Sequence, residues 1–308
     1  MNKSMLAARN EICKVIRGKN ETIDMVLCAL LAGGHILLED IPGVGKTTLA
    51  IALSRTFGMS YKRMQFTPDI LPSDILGFSM FDRDTNSFSF RPGAIFTNLF
   101  LADEINRTSP KTQSALLEVM EEKKVSIDGT TYKLKSPFFV IATQNPVGAS
   151  GTQKLPDSQL DRFFVRLSLG YPNHKAATEI LKGQSLEAID TVNSVMNSNE
   201  LMQLIEHTKS IIASDDICDY IVSICEATRN DSYISQGISP RGSIAILKMA
   251  RARACLEDRD FVIPEDVQRV LYSVCNHRMI LSTKAKADGK TVNDILNDVL
   301  DKVTVPGV

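Results

Sequence analysis

A glycine-rich turn between an apolar run and a helical run limits the fold of this chain more than any other feature. Residues 40–48 read DIPGVGKTT; the apolar run HILLE precedes them at 35–39, and LAIALSRTF follows at 49–57. A strand, a glycine turn and a helix in this order predict a loop that wraps phosphate. Amino-acid frequencies give the pattern PGxGK[ST] in only about one chain in a thousand of this length, so an ordinary glycine turn is the weaker interpretation.

The residue types in this loop suit a nucleoside triphosphate and a divalent cation. Backbone N–H groups of a glycine turn and the N-terminus of the following helix attract phosphate. We expect Lys46 to reach the terminal phosphates and the Thr47 hydroxyl to bind Mg²⁺. Asp40 stands where the full pattern has its first glycine. The predicted nucleotide-binding residues are Pro42, Gly43, Val44, Gly45, Lys46, Thr47 and Thr48.

Length and charge are those of a globular protein with two domains. The chain has 308 residues and a net charge of −1, which gives no overall signal for nucleic acid or for an anionic membrane. We therefore expect no nucleic-acid partner. The apolar stretch 25–31 is too short to cross a bilayer and no charged-then-apolar leader precedes it, so we expect no membrane segment and a cytoplasmic protein. The six cysteines form no CxxC pair, and we expect reduced, mostly buried thiols on helices.

Two adjacent carboxylates at the end of an apolar run are the second chemical signal. The run NLFLADE at 98–104 ends in Asp103 and Glu104. In a nucleotide hydrolase such a strand ends beside the phosphate loop, so Asp103 would hold Mg²⁺ and Glu104 would polarise the attacking water. An acidic pair that merely caps a helix is the alternative, and the phosphate loop earlier in the chain favours the catalytic interpretation.

Three further polar residues have two interpretations each. Asn145 follows an apolar run; it either lies between the acidic pair and the γ-phosphate or opens a turn before Pro146. Arg162 either forms a surface salt bridge or reaches the γ-phosphate of a neighbouring subunit in a ring. Arg241 lies in the first turn of a helix, where a cation is unfavourable without an anionic partner, so it either contacts phosphate or is an ordinary exposed arginine.

The hydrophobic pattern divides the chain into an α/β domain at 1–171 and a helical domain at 172–308. In the first domain we predict helices at 49–57 and 110–122, and two helices within 4–31 that break at 17–18. We predict strands at 35–39, 61–66, 98–104, 138–143 and 163–169, and a loop at 67–77. We predict hairpins at 78–91 and 125–134, the latter with a type I′ turn at Asp128-Gly129. In the second domain we predict only helices, at 173–183, 198–212, 214–229, 240–257, 264–275 and 291–302.

The motifs in this order resemble those of the AAA+ ATPases, and specifically of the MoxR family. The resemblance covers nearly the whole chain, from about residue 10 to residue 300. The segments that carry it are GGHILLEDIPGVGKT at 33–47, QFTPD at 65–69, RPGAIF at 91–96, ADEINR at 102–107, KTQSALLE at 111–118, ATQNP at 142–146, LPDSQLDRF at 155–163 and SPR at 239–241.

The resemblance implies a P-loop AAA+ parallel-sheet domain followed by an all-helical lid domain over the nucleotide, in a homo-oligomeric ring that is usually a hexamer. It makes 78–91 the helix-2 insert and 125–134 the pre-sensor hairpin, and it makes Asp40 a family feature. The implied roles are Walker A for Lys46 and Thr47, Walker B for Asp103 and Glu104, sensor 1 for Asn145, arginine finger for Arg162 and sensor 2 for Arg241, in cis or in trans.

The resemblance also implies an ATPase that uses ATP and Mg²⁺ and acts on protein clients. MoxR-type ATPases are associated with partners that carry von Willebrand factor A domains, and with maturation of, or metal insertion into, other proteins. Two alternatives stay open: a binding scaffold in which hydrolysis only resets a switch, and a DNA-associated motor. The motor is the less favoured, because the hairpin 125–134 offers Lys133 and Lys135 but no dense basic patch.

Overall fold

Strands alternate with helices in the first half of the chain, and helices dominate the second half. The computed structural model describes residues 2–84, 86–145, 155–181 and 187–307. The strands in these ranges are β1 (Ile36–Glu39), β2 (Tyr61–Gln65), β3 (Gly77–Asp82), β4 (Ser87–Pro92), β5 (Leu99–Asp103), β6 (Lys124–Ile127), β7 (Thr130–Lys133), β8 (Phe139–Gln144), β9 (Val165–Leu167), β10 (Ile234–Gln236) and β11 (Ile280–Leu281). The helices are α1 (Lys3–Cys13), α2 (Asn20–Leu31), α3 (Lys46–Thr56), α4 (Pro72–Leu76), α5 (Pro110–Glu122), α6 (Asp157–Leu160), α7 (His174–Leu181), α8 (Ser198–Ser210), α9 (Asp215–Asn230), α10 (Pro240–Leu256), α11 (Pro264–Cys275), α12 (Thr283–Ala287) and α13 (Val292–Lys302).

Five strands form a parallel sheet in the order β2-β5-β8-β1-β9. Alternate side chains of the central strands enter opposite cores: in β8, Phe139 and Ile141 face one core, while Val140 and Ala142 face the other. A strand covered on both faces must be apolar along most of its length, and every residue of β5 and β8 is buried. The parallel-sheet domain is therefore confirmed.

The two cores on either side of the sheet are covered by different helices. The first core contains apolar side chains of α1, α2 and α3 together with those of α8, α9, α10, α11 and α13. The second core contains side chains of α5, including Leu116 and Met120. Because the first core takes side chains from both sides of residue 171, the division into domains 1–171 and 172–308 stays a prediction.

A serine followed by a proline starts two helices that lie close to candidate site residues. Ser109 Oγ accepts a hydrogen bond from Thr112 N at 3.3 Å at the start of α5, and Ser239 Oγ accepts one from Gly242 N at 3.1 Å at the start of α10. Such a cap stabilises a helix by about 0.5–2 kcal/mol, because the capped N–H has no partner within the helix. Both predicted helix starts are confirmed.

The two predicted hairpins are confirmed, and they contact each other. β3 pairs antiparallel with β4, and β6 with β7. Asp128 and Gly129 have φ of 48° and 78°, as a type I′ turn requires. Phe90 of β4 stacks on Tyr132 of β7 with ring centroids 3.9 Å apart, while Phe88 is 73% exposed. The two hairpins are therefore joined by this aromatic contact.

Short elements account for the differences from the predicted pattern. β10 and β11 form a two-stranded antiparallel ribbon where only helices were predicted. The predicted loop 67–77 contains α4, and β9 covers only part of the run 163–169. Elements of two to five residues show too little periodicity to be recognised, and tertiary pairing decides them. Pro146 and the end of the helix predicted at 173–183 lie outside the described residues.

The cysteines lie on helices, as the sequence predicts. All six are free and lie on helices, and four of them are buried. Across the ranges given above, no group of three or more His, Cys, Asp or Glu side chains could hold a metal ion. The same part of the chain contains no helix long and apolar enough to cross a membrane.

Candidate active site

The glycine turn lies at the carboxyl end of β1, which has β8 on one side and β9 on the other. Gly43 and Gly45 have φ of 84° and 99°, a left-handed conformation that costs other residues about 1–2 kcal/mol. The turn leads directly into α3, whose first residue is Lys46. The first N–H groups of a helix have no acceptor within it, so this turn offers donors to an anion.

Lys46 closes the loop on itself. Its side chain is largely buried, and its Nζ donates a hydrogen bond to the Asp40 carbonyl oxygen at 2.8 Å. Burial lowers the pKa of Lys46 from its ordinary value, and the carboxylates of Asp40, Asp103 and Glu104 oppose that shift. A buried ammonium group among carboxylates suits an anionic ligand, because a phosphate oxygen can replace the carbonyl as its acceptor.

Asp40 holds the loop through its carboxylate. The side chain is buried and accepts hydrogen bonds from Ser168 Oγ at 2.7 Å, from Leu169 N at 2.7 Å and from Gly170 N at 3.0 Å. These donors belong to the segment that follows β9. Asp40 therefore joins the start of the phosphate loop to the chain that leaves the sheet, a role that the first glycine of the full pattern could not fill.

Asp103 ends β5, and both of its carboxylate oxygens have donors. Oδ1 accepts a hydrogen bond from Thr143 Oγ1 at 2.6 Å. Oδ2 accepts two from Arg63, at 3.1 Å from Nε and at 2.6 Å from Nη2. Arg63 lies on β2, which pairs with β5 along its whole length. An arginine of the neighbouring strand thus neutralises the carboxylate predicted to hold Mg²⁺.

Glu104 follows β5 with a left-handed φ of 57°, which is uncommon outside glycine and frequent at functional sites. Its Oε2 accepts a hydrogen bond from Arg107 Nη1 at 2.8 Å, and its Oε1 accepts one from Asn145 Nδ2 at 2.9 Å. The Arg107 hydrogen bond is the main cause that holds the pKa of Glu104 below its ordinary value; burial opposes it and Asn145 adds to it. Glu104 is therefore ionised at neutral pH, the form that accepts a proton.

Asn145 lies beside Glu104 and carries a buried amide oxygen that can accept a hydrogen bond. It follows β8, which lies next to β5 in the sheet. Its Oδ1 is buried and has no hydrogen-bond partner within the described part of the chain. A buried acceptor without a donor costs about 1–3 kcal/mol, so a water molecule or a ligand donor at this atom would be stabilised.

The loop and the two acids line one cleft of about 350 Å³. Its lining includes six of the seven predicted loop residues together with Asp103, Glu104, Asn145, Arg63 and Gln65. Val44 is the exception and packs against the first core. The oxygen atoms of Thr47 and Asp103 suit Mg²⁺, because this ion takes few protein ligands and completes its shell with phosphates and water.

The two predicted catalytic arginines lie together in a different cavity. Arg162 Nη1 is 3.4 Å from Glu121 Oε2, and Arg241 Nη2 donates a hydrogen bond to Glu121 Oε1. Both arginines line a cavity of about 450 Å³, which shares no lining residue with the cleft of the phosphate loop. The structure thus brings these two arginines to Glu121, and it places them in a different cavity from Asp103 and Glu104 of their own chain.

A buried arginine from the second half of the chain fixes the segment that carries Arg162. Arg278 follows α11 and its side chain is 1% exposed. It donates to Asp161 Oδ1 at 2.7 Å and to the carbonyl oxygens of Phe163 at 2.6 Å and Phe164 at 3.0 Å. The backbone on both sides of Arg162 is therefore held by the helical part of the protein.

Sequence patterns alone did not single out Arg63, Arg107 or Arg278. Arg107 carried a local signal, since it stands three residues after Glu104, within one helical turn. Arg63 carried none, because its contact with Asp103 depends on β2 lying next to β5. The contacts of Arg278 likewise depend on packing between distant parts of the chain.

This fold and this cleft define a P-loop nucleotide-binding protein of the AAA type. A profile of the ATPase family associated with various cellular activities (AAA) matches residues 35–165, and a profile of the AAA lid domain matches residues 226–299. The two matches occur in the order that the structure shows: a parallel sheet, then a mainly helical part.

Relatives extend over almost the whole chain. The protein YeaC of Bacillus subtilis is 47% identical over 300 residues, which are 97% of this chain and 94% of that protein. Chaperone MoxR1 of Mycobacterium tuberculosis is 38% identical over 307 residues, 97% of this chain and 81% of that one. A crystal structure of a protein from Cytophaga hutchinsonii matches with a TM-score of 0.89 at 36% identity, covering 98% of this chain and 97% of that chain. The chain belongs to the MoxR family of AAA+ ATPases.

Proposed function

We propose that this protein binds ATP with Mg²⁺, hydrolyses it to ADP and phosphate, and uses the cycle to remodel or mature other proteins. One observation carries the proposal: the Lys46 loop and the pair Asp103 and Glu104 line one cleft, and Asn145 is hydrogen-bonded to Glu104. A phosphate-binding cation, a carboxylate for the metal and a carboxylate for water are the groups that phosphoryl transfer to water requires.

The loop binds the triphosphate. Lys46 exchanges the Asp40 carbonyl oxygen for a phosphate oxygen, and the backbone N–H groups at the start of α3 bind the neighbouring oxygens. The oxygens of Thr47 and Asp103 would hold Mg²⁺, which supplies positive charge to the β- and γ-phosphates. These contacts position the γ-phosphate beside the carboxylate of Glu104.

Glu104 acts as the general base or orienting group for water. The water oxygen forms a bond with the γ-phosphorus while the bond from that phosphorus to the bridging oxygen of ADP breaks, and Glu104 accepts the proton. Asn145 fixes the Glu104 carboxylate through its Nδ2, and its Oδ1, which has no partner among the described residues, is an acceptor for the same water. The lowered pKa of Glu104 keeps the carboxylate ionised, the form that can accept this proton.

Arg162 and Arg241 complete the cleft of a neighbouring subunit. They act in trans, because both contact Glu121 and line a cavity that is separate from the nucleotide cleft of their own chain. In a closed ring of identical subunits each chain presents the same surface to the next, so a finger and a pocket from different chains meet at every interface. We propose a hexameric ring, the number that the family resemblance implies.

The work done by the cycle is assigned by analogy with the family. One relative, which covers most of this chain, is named Chaperone MoxR1. A von Willebrand factor A domain partner, and maturation or metal insertion as the output, rest on the family resemblance alone. These assignments concern the protein clients and leave the chemistry of the cleft unchanged.

The substitution Glu104→Gln tests the proposed chemistry. The amide keeps the shape of the side chain but cannot accept the proton, so we expect ATP binding to persist while kcat falls about 10²-fold or more. ATP binding is measured by isothermal titration and turnover by phosphate release. Turnover near that of the unaltered protein would remove Glu104 from the role of base, and loss of binding would show that its charge holds the nucleotide site together.

A further inference from the structure

The two donors to Asp103 differ in how firmly they are held. The Thr143 hydroxyl donates to Oδ1 and itself accepts a hydrogen bond from Glu104 N at 2.8 Å. Thr143 is completely buried, so its hydroxyl is fixed from two sides. Oδ2 is held by Arg63 through two hydrogen bonds. A ligand that needs an oxygen of Asp103 will therefore displace Arg63 rather than Thr143.

Arg63 is also the donor with room to move. Its side chain is 46% exposed, whereas that of Asp103 is 11% exposed. Its other hydrogen bond goes to Gln65 Oε1 at 3.1 Å, on the same strand. The exposed Arg63 side lowers the cost of breaking the pair, because water solvates the released guanidinium and side-chain entropy favours release. Breaking this pair is therefore feasible for a ligand that binds Asp103 strongly.

The charges of the cleft explain why the pair matters for a metal. Asp103 is paired with Arg63, and Glu104 is paired with Arg107 at 2.8 Å. Both acids are thus neutralised by the protein itself. A divalent cation at Asp103 would share the carboxylate with a guanidinium whose Nη2 lies 2.6 Å from Oδ2. Two cations on one carboxylate repel each other.

We propose that Arg63 competes with Mg²⁺ for Asp103, so that binding of Mg²⁺ together with nucleotide breaks the ion pair. The inference rests on the proposed function, which makes this cleft the site for ATP and Mg²⁺. It gives Arg63 a positioning role. Arg63 holds the Asp103 carboxylate in place, and it sets how much Mg²⁺ raises the affinity for nucleotide.

The test is the effect of Mg²⁺ on nucleotide affinity in the variant Arg63→Gln. The dissociation constant of a fluorescent, non-hydrolysable ATP analogue is measured in excess Mg²⁺ and in excess EDTA, and the EDTA value is divided by the Mg²⁺ value. We expect this ratio to rise about three- to tenfold in the variant, because Mg²⁺ no longer has to displace a guanidinium.

Two variants serve as controls. Lys62→Gln removes the same charge from the adjacent position of β2, where Nζ lies 3.5 Å from the Gly93 carbonyl oxygen and outside the cleft lining. It should leave the ratio unchanged. Arg63→Lys keeps the charge but not the pair of hydrogen bonds, so its ratio should lie between the other two, and it replaces Arg63→Gln if that variant does not fold.

Each outcome separates the inference from the proposed function. An unchanged or smaller ratio in Arg63→Gln would overturn the competition, since Arg63 would then be a structural partner of Asp103 or a contact that supports the metal. A ratio that rises equally in Lys62→Gln would reduce the effect to general electrostatics and also overturn it. If the unaltered protein bound no analogue in either condition, the proposed function itself would fail.

Discussion

One residue, Asp40, holds the phosphate loop through both its carboxylate and its carbonyl oxygen. The Asp40 carboxylate accepts three hydrogen bonds from the segment after β9, and the Asp40 carbonyl oxygen accepts one from Lys46. One residue therefore connects the cation of the loop with the chain that leads toward the helical part. The departure from the full glycine pattern at this position has a structural cause, and it leaves the phosphate-binding turn at Gly43 and Gly45 intact.

A buried histidine makes stability depend on pH. His35 Nδ1 accepts a hydrogen bond from Val140 N at 3.0 Å, and its Nε2 lies 2.8 Å from the Met120 carbonyl oxygen, so the ring is neutral with its proton on Nε2. Burial lowers the pKa of His35 to about 4. Between about pH 6.5 and pH 4 the unfolded chain binds a proton at this residue that the folded chain does not. The free energy of unfolding therefore falls as the pH is lowered through that window.

We expect the free energy of unfolding to fall by about 2 kcal/mol from this residue alone between pH 7 and pH 5. In His35→Gln that drop should shrink by the same amount, whatever the variant's stability at pH 7. Urea denaturation at the two pH values measures it. His207→Gln, at a histidine whose side chain is 52% exposed, is the matched control and should show the drop of the unaltered protein. An identical drop in His35→Gln would contradict the assignment.

At the scale of elements, the first hairpin depends on one glycine at its base. Gly77 starts β3 with φ of 96° and ψ of 179°, a combination that is essentially restricted to glycine. A Cβ atom there would lie 2.3 Å from the Arg91 carbonyl oxygen and 2.8 Å from Gly93 N, both of them backbone atoms. Any side chain at this position thus meets strain and a clash together.

The substitution Gly77→Ala should therefore destabilise the hairpin strongly. Gly129 is the matched position, because it has φ of 78° but nothing within 4 Å of its Cβ position. We expect Gly129→Ala to cost about 1 kcal/mol and Gly77→Ala at least about 2 kcal/mol more. Hydrogen exchange of the amides in β3 and β4 reports the loss. Equal protection of this hairpin in the two variants would show that the clash relaxes without cost.

The elements differ in how far the sequence determines them. The β8 strand could be predicted because its residues are buried on both faces, which leaves a continuous apolar run. The ribbon of β10 and β11 could not, since its residues are far apart in sequence and the strands are two or three residues long. The turn at Asp128 and Gly129 was predictable, because a type I′ turn favours this residue pair.

The residues of the candidate site also differ in how far the sequence alone could predict them. Lys46, Asp103 and Glu104 were predictable because each sits in a short contiguous motif whose chemistry is local. The contact between Arg63 and Asp103 was not, because it exists only when β2 and β5 are neighbours in the sheet. The same holds for Arg278, which reaches back across more than a hundred residues to Asp161. Local patterns predicted residues that line one cleft, and the order of the strands decides the partners of those residues.

At the scale of the whole molecule, the helical part holds the arginine that we assign to the neighbouring site. Arg278 binds the backbone on both sides of Arg162, and Arg241 of α10 shares Glu121 with Arg162. A change in how the helical part sits on the sheet would therefore move both arginines together. This arrangement offers a route from one cleft to the next around the proposed ring, through a site shared by two subunits.

Mixing two inactive variants tests the shared site most directly. Lys46→Ala disables the pocket but keeps the finger, and Arg162→Ala keeps the pocket but loses the finger. When the two are mixed in equal amounts, random assembly places an intact finger against an intact pocket at about a quarter of the interfaces. We expect ATPase activity to return toward about a quarter of that of the unaltered protein, as measured by phosphate release.

Lys46→Ala mixed with Glu104→Gln is the control, because both changes lie in the pocket and no interface regains an intact one. This mixture should stay inactive. Two different affinity tags verify that the variants assemble into common rings. A shared site predicts recovery in the first mixture and none in the second. If mixed rings are verified and the first mixture shows no recovery, the site is not completed by Arg162 of another chain.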